Sequence, residues 1–152
     1  MSQALRISEA ATLALHSMAL LAARPGGLLA THEMATELRV SEAHLSKVLQ
    51  RLSKAGLVAA TRGPGGGFEL AKEPGEISLL DVYETIDGPL GCDECLLGTP
   101  TCTGEACMLG DLIKSVNEQM RTYLSTTRLA DVRNAYRTQA QARVSAAGAA
   151  LR

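Results

Sequence analysis

A run of four glycines and one proline, at residues 63–67, limits the folds that this chain can adopt. Glycine and proline at this density break helices and the interior of strands, so the run predicts a turn. The segments 57–62 and 68–71 on either side of it are short and extended in character. Two such segments around a turn of this composition predict a β-hairpin.

Two helices joined by a three-residue turn are predicted directly before the hairpin. The first spans about 31–38 with Thr31 as its N-cap, and the second about 42–55 with Ser41 as its N-cap. Gly56 then ends the second helix as a left-handed C-cap. The apolar residues of the second helix fall at i, i+3, i+4 and i+7 and define one buried face: Leu45, Val48, Leu49 and Leu52. Helix, turn, helix and hairpin in this order are typical of a winged helix-turn-helix domain.

Three more helices complete the predicted fold. The first, about 8–23 with Ser8 as its N-cap, is apolar nearly all round and should be buried on several sides. The second, about 78–87, begins at Ser78. A long helix at about 108–125 carries one apolar stripe: Leu109, Leu112, Ile113, Val116, Met120, Tyr123 and Leu124. The predicted fold class is therefore mainly α with a small β-hairpin, a winged helix-turn-helix plus a long dimerisation helix.

The order of elements divides the chain into four regions. Residues 1–75 are predicted to form the winged helix-turn-helix domain, and residues 76–107 a connecting helix and a cysteine-rich loop. Residues 108–132 contain the dimerisation helix and its end. Residues 133–152 are rich in Ala, Arg and Gln with little periodicity, so a frayed helix or a disordered tail is expected there.

The net charge of −1 is unevenly distributed along the chain. Residues 1–75 carry eight basic and six acidic side chains, residues 76–111 eight acidic and no basic ones, and residues 112–152 seven basic and two acidic ones. The segment 43–68 holds four cations and no acid. A basic segment beside an acidic one favours a surface for a polyanion such as nucleic acid, although an ordinary solvated face can have the same charges.

The outer face of the helix at 42–55 has the polar residues that a recognition helix needs in the major groove. Base edges are contacted mainly from the N-terminal end of such a helix, where the predicted DNA-binding residues are Ser41, Glu42, Ala43, His44, Ser46 and Lys47. Lys47, Arg51 and Lys54 are predicted to contact phosphates. The hairpin is predicted to act as a wing that contacts the DNA backbone or minor groove through Arg62, Gly63, Gly65 and Gly66. A tight hairpin with no partner is the alternative.

Several other classes of protein are disfavoured. The glycine run lacks the Lys-Ser/Thr of a P-loop and no helix follows it, so it is not a nucleotide cradle. Glu9 and His16 interrupt the apolar stretch near the N-terminus, which argues against a secretory signal. No run approaches the ~20 apolar residues that span a membrane. We expect a cytoplasmic protein with no membrane partner and no enzymatic activity.

All four cysteines, Cys92, Cys95, Cys102 and Cys107, lie within 16 residues. Disulfides are rare in a reducing cytoplasm, so the cluster predicts a metal or redox site. Thiolates select soft metals, which leaves zinc or iron in sulfide clusters. The acidic neighbours argue against a nucleophilic thiolate, and the Cys92-x-x-Cys95 pair lacks the βαβ context of thioredoxin-like enzymes.

The sequence resembles the IscR/NsrR (Rrf-type) family of transcription regulators over roughly residues 4–132. The most specific part of the resemblance is the string Arg-Gly-Pro-Gly-Gly-Gly at residues 62–67. The other matching segments lie at residues 5–8, 41–58, 79–82, 87–88 and 129–132. The resemblance implies a homodimer built on the long helix and bound to a roughly palindromic double-stranded DNA operator.

The resemblance also implies an iron–sulfur cluster held by Cys95, Cys102 and Cys107, of either the 2Fe-2S or the 4Fe-4S type. The fourth ligand is either His16 from the first helix of the partner subunit or the additional Cys92. Thr12 stands where certain relatives carry a carboxylate ligand, and threonine is a poor ligand for iron. A hydrogen-bonded core histidine is the alternative for His16. Structural zinc, a thiol switch and inert cysteines are the alternatives for the cluster.

The resulting hypothesis is a sequence-specific transcription regulator, expected to be a repressor, whose operator affinity depends on the cluster. The cluster would sense redox state, nitric oxide or iron status, through a small redox-active signal. The alternative is a zinc-stabilised or cluster-free DNA-binding protein of the same fold that senses no redox signal.

Overall fold

The computed structural model describes residues 7–90, 102–103 and 107–136 of the 152-residue chain. The fold is mainly helical with one two-stranded antiparallel hairpin, as the sequence predicts. The elements in chain order are α1 (Glu9–Ala22), α2 (Thr31–Leu38), α3 (Glu42–Lys54), β1 (Val58–Thr61), β2 (Gly67–Leu70), α4 (Leu79–Asp87), α5 (Gly110–Thr126) and α6 (Leu129–Val132), and a 3-10 turn at Arg133–Tyr136.

Helix α1 is the centre of the hydrophobic core, and α2, α3, α4, α6 and strand β2 all pack against it. Its N-cap is Ser8, as predicted, and the Ser8 hydroxyl accepts a hydrogen bond from the Ala11 amide at 3.0 Å. Met18 and Leu20 are completely buried. The buried Ser17 hydroxyl is satisfied because it donates to the Leu13 carbonyl oxygen at 2.7 Å.

The N-cap of helix α2 lies one residue earlier than the sequence predicts. Thr31 is not the N-cap but the first helical residue, and Ala30 is the N-cap. The reason is that Leu29 pairs with Phe68 of the hairpin, which holds the chain extended as far as Ala30. Ala30 has no capping hydroxyl, and the carboxylate of Glu33 accepts a hydrogen bond from the Ala30 amide at 2.9 Å.

The turn between α2 and α3 places a non-glycine residue in the left-handed region. Arg39 has φ 55° and ψ 47°, and the amide of Val40 bonds back to the Ala35 carbonyl at 3.0 Å. Such a conformation costs an L-residue roughly 1–2 kcal/mol. It turns the chain sharply enough for Ser41 to cap α3. The buried face of α3 consists of the four residues predicted: Leu45, Val48, Leu49 and Leu52.

The hairpin contains a tight turn at its tip. The Gly66 amide donates to the Gly63 carbonyl at 2.9 Å across Pro64 and Gly65, and Gly65 has φ +74°. Proline at the second position and a glycine with positive φ at the third are typical of a type II turn. Leu29 extends this sheet, which the sequence did not predict. The Phe68 amide donates to the Leu29 carbonyl at 2.9 Å, and the Leu29 amide donates to the Phe68 carbonyl at 3.0 Å.

Helix α4 begins at Leu79 after the predicted cap Ser78, which exchanges hydrogen bonds with Asp81. The end of α5 is tied to the start of α4, because the Leu79 amide donates to Thr127 and the Leu129 amide to Ile77, both at 3.0 Å. This pairing fixes the direction in which α5 leaves the domain.

The apolar residues of α5 do not form the single stripe that the sequence predicts. Ile113 and Leu124 are buried in the chain's own core, with Met120 packed against that core. Leu112 and Tyr123 lie on a different face and are each 61% exposed. At 3.6 residues per turn, Leu112 and Tyr123 lie about 100° around the helix from Ile113 and Leu124, so the two sets can contact different partners.

The prediction for the C-terminal region concerns residues that lie mostly outside the described part of the chain. Residues 133–136 of the frayed or disordered tail predicted at 133–152 form the 3-10 turn, and residues 137–152 lie outside the part of the chain that the structure describes. Among the described residues, no helix has the length and apolar character needed to cross a membrane.

Candidate nucleic-acid interface and cysteine loop

The N-terminal end of α3 presents the predicted base-contacting residues on one side of the domain. Ser41, Glu42, Ala43 and Lys47 are exposed, while His44 and Ser46 are half-buried. They share this face because the opposite face of α3 is anchored in the core through its four apolar residues. The structure therefore brings this predicted set together at an accessible helix end.

His44 has a neighbour that the sequence did not predict. Its Nδ1 atom lies 3.7 Å from Oε1 of Glu9, which is at the start of α1 and is almost fully exposed. The pair is an ion pair only when His44 is protonated. It places a carboxylate of α1 next to the end of α3 that would meet the bases.

The cations of α3 and the hairpin differ in their contacts with the rest of the domain. Lys47, Lys54 and Arg62 are exposed, and none of them forms an ion pair with another described residue. Arg51, which the sequence predicts as a phosphate contact, is also exposed, but it forms hydrogen bonds with the backbone of the domain. Its Nη2 donates to the carbonyl oxygens of Ile86 at 2.6 Å and Thr85 at 3.3 Å, at the C-terminal end of α4.

The hairpin tip has a backbone that only glycine can follow. A Cβ atom at position 66 would lie 2.2 Å from the Thr61 carbonyl oxygen, and one at position 67 would lie 2.5 Å from that of Leu29. Gly63 and Gly65 have φ values of +100° and +74°. Arg62, Gly63 and Gly65 are exposed and Gly66 is half-buried, so most of the tip is accessible, as a wing that contacts DNA must be.

Only part of the predicted cysteine site can be described. Cys92 and Cys95 lie outside the described residues. Cys102 is exposed, Cys107 is half-buried, and both are free thiols. Within residues 7–90, 102–103 and 107–136, no three His, Cys, Asp or Glu side chains are close enough to hold a metal ion. Cys107 lies just before α5, whose N-terminal end has no side-chain cap.

His16 lies on the surface of α1 and not in its buried part, so the alternative of a core histidine is wrong. Glu9, Thr12 and His16 are all exposed and form the predicted polar stripe. The Nδ1 atom of His16 forms a hydrogen bond with the Tyr136 hydroxyl, and the two rings meet edge to face. Burial, and then the nearby Glu37 carboxylate, raise the pKa of Tyr136 above its ordinary value.

The polar stripe of α1 borders an open cavity of about 560 Å³. The cavity lies between α1, the turn that joins α2 to α3, and Tyr136. Its lining includes Glu9, His16 and His44. Sequence reasoning missed Tyr136 because it lies in the region predicted to be a frayed tail, where its single aromatic ring was the available signal.

A protein-family comparison agrees with this geometry. The family model for Rrf2, described as an iron-dependent transcriptional regulator, matches residues 7–135. The chain belongs to the Rrf2 family. The match covers α1 to α6 and all of the 3-10 turn except its last residue, Tyr136.

Curated relatives of the Rrf2 chain are named as transcriptional regulators. An HTH-type transcriptional regulator of Aquifex aeolicus is 31% identical over 130 residues, which are 84% of this chain and 90% of that protein. The HTH-type transcriptional regulator IscR of Serratia proteamaculans is 33% identical over 96 residues, which are 62% of this chain and 58% of that protein.

Two solved structures of Rrf2-like regulators have the same fold. CymR, described as the global cysteine regulator of B. subtilis, superposes with a TM-score of 0.71 at 27% identity and covers 87% of this chain and 98% of its own. IscR of T. potens superposes with a TM-score of 0.67 at 25% identity and covers 87% of this chain and 89% of its own. The chain is a DNA-binding transcriptional regulator with a winged helix, and the relatives support a role other than catalysis.

Proposed function

We propose that this chain is a homodimeric, sequence-specific repressor in the cytoplasm whose operator affinity depends on an iron–sulfur cluster. The observation that carries the DNA-binding part is the exposed end of α3 beside a hairpin tip built of glycine. The cluster part is supported by the cysteine spacing and by the family description as iron-dependent.

On DNA, the N-terminal end of α3 would enter the major groove. Glu42 and His44 can accept or donate hydrogen bonds at base edges, and Ala43 can contact a thymine methyl group. Lys47, Lys54 and Arg62 have no ion-pair partner among the described residues, so they are available for phosphates. The amides near the wing tip can approach the backbone because Gly65 and Gly66 carry no side chain.

Replacing Lys47 by Ala is expected to weaken operator binding and to reduce its salt dependence. Each phosphate contact contributes a slope of about −0.9 in a plot of log affinity against log salt, so the loss should be about one charge per protomer. The measurement is a fluorescence-anisotropy titration at several salt concentrations. Lys114→Ala on α5 is the control and should leave the slope unchanged. An unchanged slope for Lys47→Ala would remove this lysine from the phosphate contacts.

The proposed dimer is supported by the exposed apolar face of α5. Leu112 and Tyr123 lie on one face of α5 and are each 61% exposed, and Met108, which precedes the helix, is 86% exposed. The chain's own core does not use this face, because Ile113 and Leu124 supply the contacts with it. A second copy that packs on the same face would bury these residues, as the symmetry of a homodimer requires. Two α3 helices could then meet two halves of a palindromic operator.

The cluster proposal depends on whether the described cysteines fit such a group. Cys102 and Cys107 are free thiols that solvent can reach, and soft iron accepts thiolate ligands. The uncapped N-terminal end of α5 follows Cys107, and the N-terminal end of a helix favours an anionic centre such as a thiolate-bound cluster. These donors fit. Cys95, Cys102 and Cys107 would hold the cluster. The cluster would be the group that reacts with oxygen, nitric oxide or another redox signal.

His16 and Cys92 remain the two candidates for the fourth ligand. Tyr136 engages Nδ1 of His16 and leaves Nε2 as the donor atom for a metal. Metal-bound histidines commonly have their second ring nitrogen hydrogen-bonded in this way, which favours His16 of the partner subunit. Comparing cluster retention in His16→Ala and Cys92→Ser separates the two candidates.

The cluster is tested by anaerobic purification. We expect the wild-type protein to be brown, to absorb visible light, and to contain iron and acid-labile sulfide. Replacing Cys102 and Cys107 together by Ser should remove all three properties while the far-ultraviolet circular dichroism stays helical. A colourless wild-type protein that contains zinc would overturn the cluster and favour the zinc-stabilised alternative.

The likeness to CymR favours a second candidate function. CymR is described as a cysteine regulator, and Cys102 of the present chain is an exposed free thiol. On this hypothesis the chain regulates transcription in response to thiol chemistry without any cluster. A metal-free protein whose operator affinity changes on reversible thiol oxidation would support this candidate.

A further inference from the structure

The recognition helix is bonded to the C-terminal end of α4. Nη2 of Arg51 lies 2.6 Å from the Ile86 carbonyl oxygen and 3.3 Å from that of Thr85. These carbonyls belong to the last turn of α4, where no intrahelical amide is available to satisfy them all. A guanidinium at this position is stabilised both by the hydrogen bonds and by the negative end of the helix dipole.

A second arginine bonds to the backbone four residues after Ile86, at Leu90, the last described residue before Cys92. Nη2 of Arg121 on α5 donates to the Leu90 carbonyl oxygen. The Leu90 amide donates to Oε1 of Glu84 at 3.0 Å, and its side chain is buried. The carboxylate of Asp87, between the two arginine contacts, accepts hydrogen bonds from the amide and hydroxyl of Ser8.

The segment 85–90 therefore connects the loop to three helices. Leu90 is the last described residue before the part of the chain that holds Cys92 and Cys95. Only four peptide bonds separate the carbonyl held by Arg121 from the Ile86 carbonyl held by Arg51. The side chains of Ile86 and Leu90 are buried and hydrogen bonds hold the carbonyls at both ends, so a displacement of Leu90 strains the contact between Ile86 and Arg51.

We propose that Arg51 is a positioning residue that transmits the state of the cysteine loop to the recognition helix through the segment 85–90. This inference rests on the proposed function and assigns Arg51 a role other than the phosphate contact that its position on α3 predicts. Lys54 lies one turn further along the same helix and forms no ion pair with a described residue, so it is the matched cation for comparison.

The experiment compares Arg51→Gln with Lys54→Gln, because each variant removes one positive charge from the same end of α3. The first readout is the salt dependence of operator binding by the cluster-free protein. We expect Lys54→Gln to reduce the slope by about one charge per protomer and Arg51→Gln to leave the slope unchanged.

The second readout is hydrogen exchange at the amides of Gly88 and Leu90, with and without operator DNA. Coupling between two sites is reciprocal, so DNA that binds α3 must also act on the segment 85–90. We expect operator binding to change exchange at these amides about fivefold or more in the wild type and in Lys54→Gln, at the lower end of usual couplings. Arg51→Gln should lose this change, and Arg51→Lys, which retains a charged donor, should restore part of it.

The third readout is the ratio of operator affinities of the cluster-loaded and cluster-free proteins. A ratio of about 5–150 in the wild type should fall towards one in Arg51→Gln and persist in Lys54→Gln. Exchange that does not respond to DNA in the wild type would overturn the role of Arg51. The role of Arg51 would also be overturned if Arg51→Gln reduced the salt slope by one charge and its exchange still responded to DNA. A wild-type ratio of one together with an exchange response that depends on Arg51 would overturn cluster sensing and leave the role of Arg51 supported.

Discussion

Replacing Gly66 by Ala is expected to lower operator affinity about 100-fold, which corresponds to about 2.8 kcal/mol. The added Cβ would lie 2.2 Å from the Thr61 carbonyl oxygen and 2.9 Å from that of Gly63, so the turn must open. Opening it breaks the bond from the Gly66 amide to Gly63 and moves Arg62 and the tip amides away from the DNA backbone. Two charge-assisted contacts at about 1.5–3 kcal/mol each account for an effect of this size.

The control for Gly66→Ala is Gly75→Ala. Gly75 is exposed, and no atom lies within 4 Å of its Cβ position. We expect Gly75→Ala to bind the operator like the wild type in the same anisotropy titration. Thermal unfolding of both variants shows whether the core remains folded. If Gly66→Ala kept its affinity with an intact core, the wing would not contact DNA.

Replacing Leu112 by Glu is expected to raise the dissociation constant of the dimer at least about 100-fold, equivalent to about 2.8 kcal/mol. Leu112 is 61% exposed on the apolar face of α5, and a second copy packed there would bury it. An unpaired carboxylate in an apolar interface carries a desolvation cost of several kcal/mol. Twofold symmetry introduces two such carboxylates for each mutation, so their costs add.

Sedimentation velocity over a range of protein concentrations measures this dissociation. The control is Lys114→Gln, which lowers the charge of the protomer by the same one unit but lies on the other side of α5. Lys114→Gln should sediment as the wild type does. A Leu112→Glu protein that stayed dimeric would exclude this face of α5 from the interface.

Local signals were sufficient to predict the helix-turn-helix and its wing. Leu45, Val48, Leu49 and Leu52 have one periodicity and one buried face, because burial of apolar side chains on a helix follows spacing alone. Ser8, Ser41 and Ser78 cap the helices they were predicted to cap, since capping involves only the neighbouring amides. Gly56 lies at the end of α3 with φ +73° for a similar reason.

Predictions for features that depend on distant parts of the chain differed from the structure at two places, the N-cap of α2 and the apolar stripe of α5. Thr31 was displaced from its capping role because Leu29 pairs with Phe68, almost forty residues away. The stripe on α5 divided into a buried and an exposed set, because the pairing of Ile77 and Leu79 with residues 127–129 determines how the helix is rotated. The DNA-contacting and cluster-binding residues, as sites, stay predictions.

The sequence by itself determined the turn at residues 63–67, because only glycine can follow the backbone at its tip. It also determined the pair of helices before that turn, since spacing and capping act over a few residues. The tertiary structure alone decided which cations form hydrogen bonds within the domain. Lys47 and Arg51 are both exposed basic residues of one helix, yet only Arg51 of these two donates to the last carbonyls of α4. Hydrogen bonding to a residue 35 positions away depends on packing, which has no local signature in the sequence.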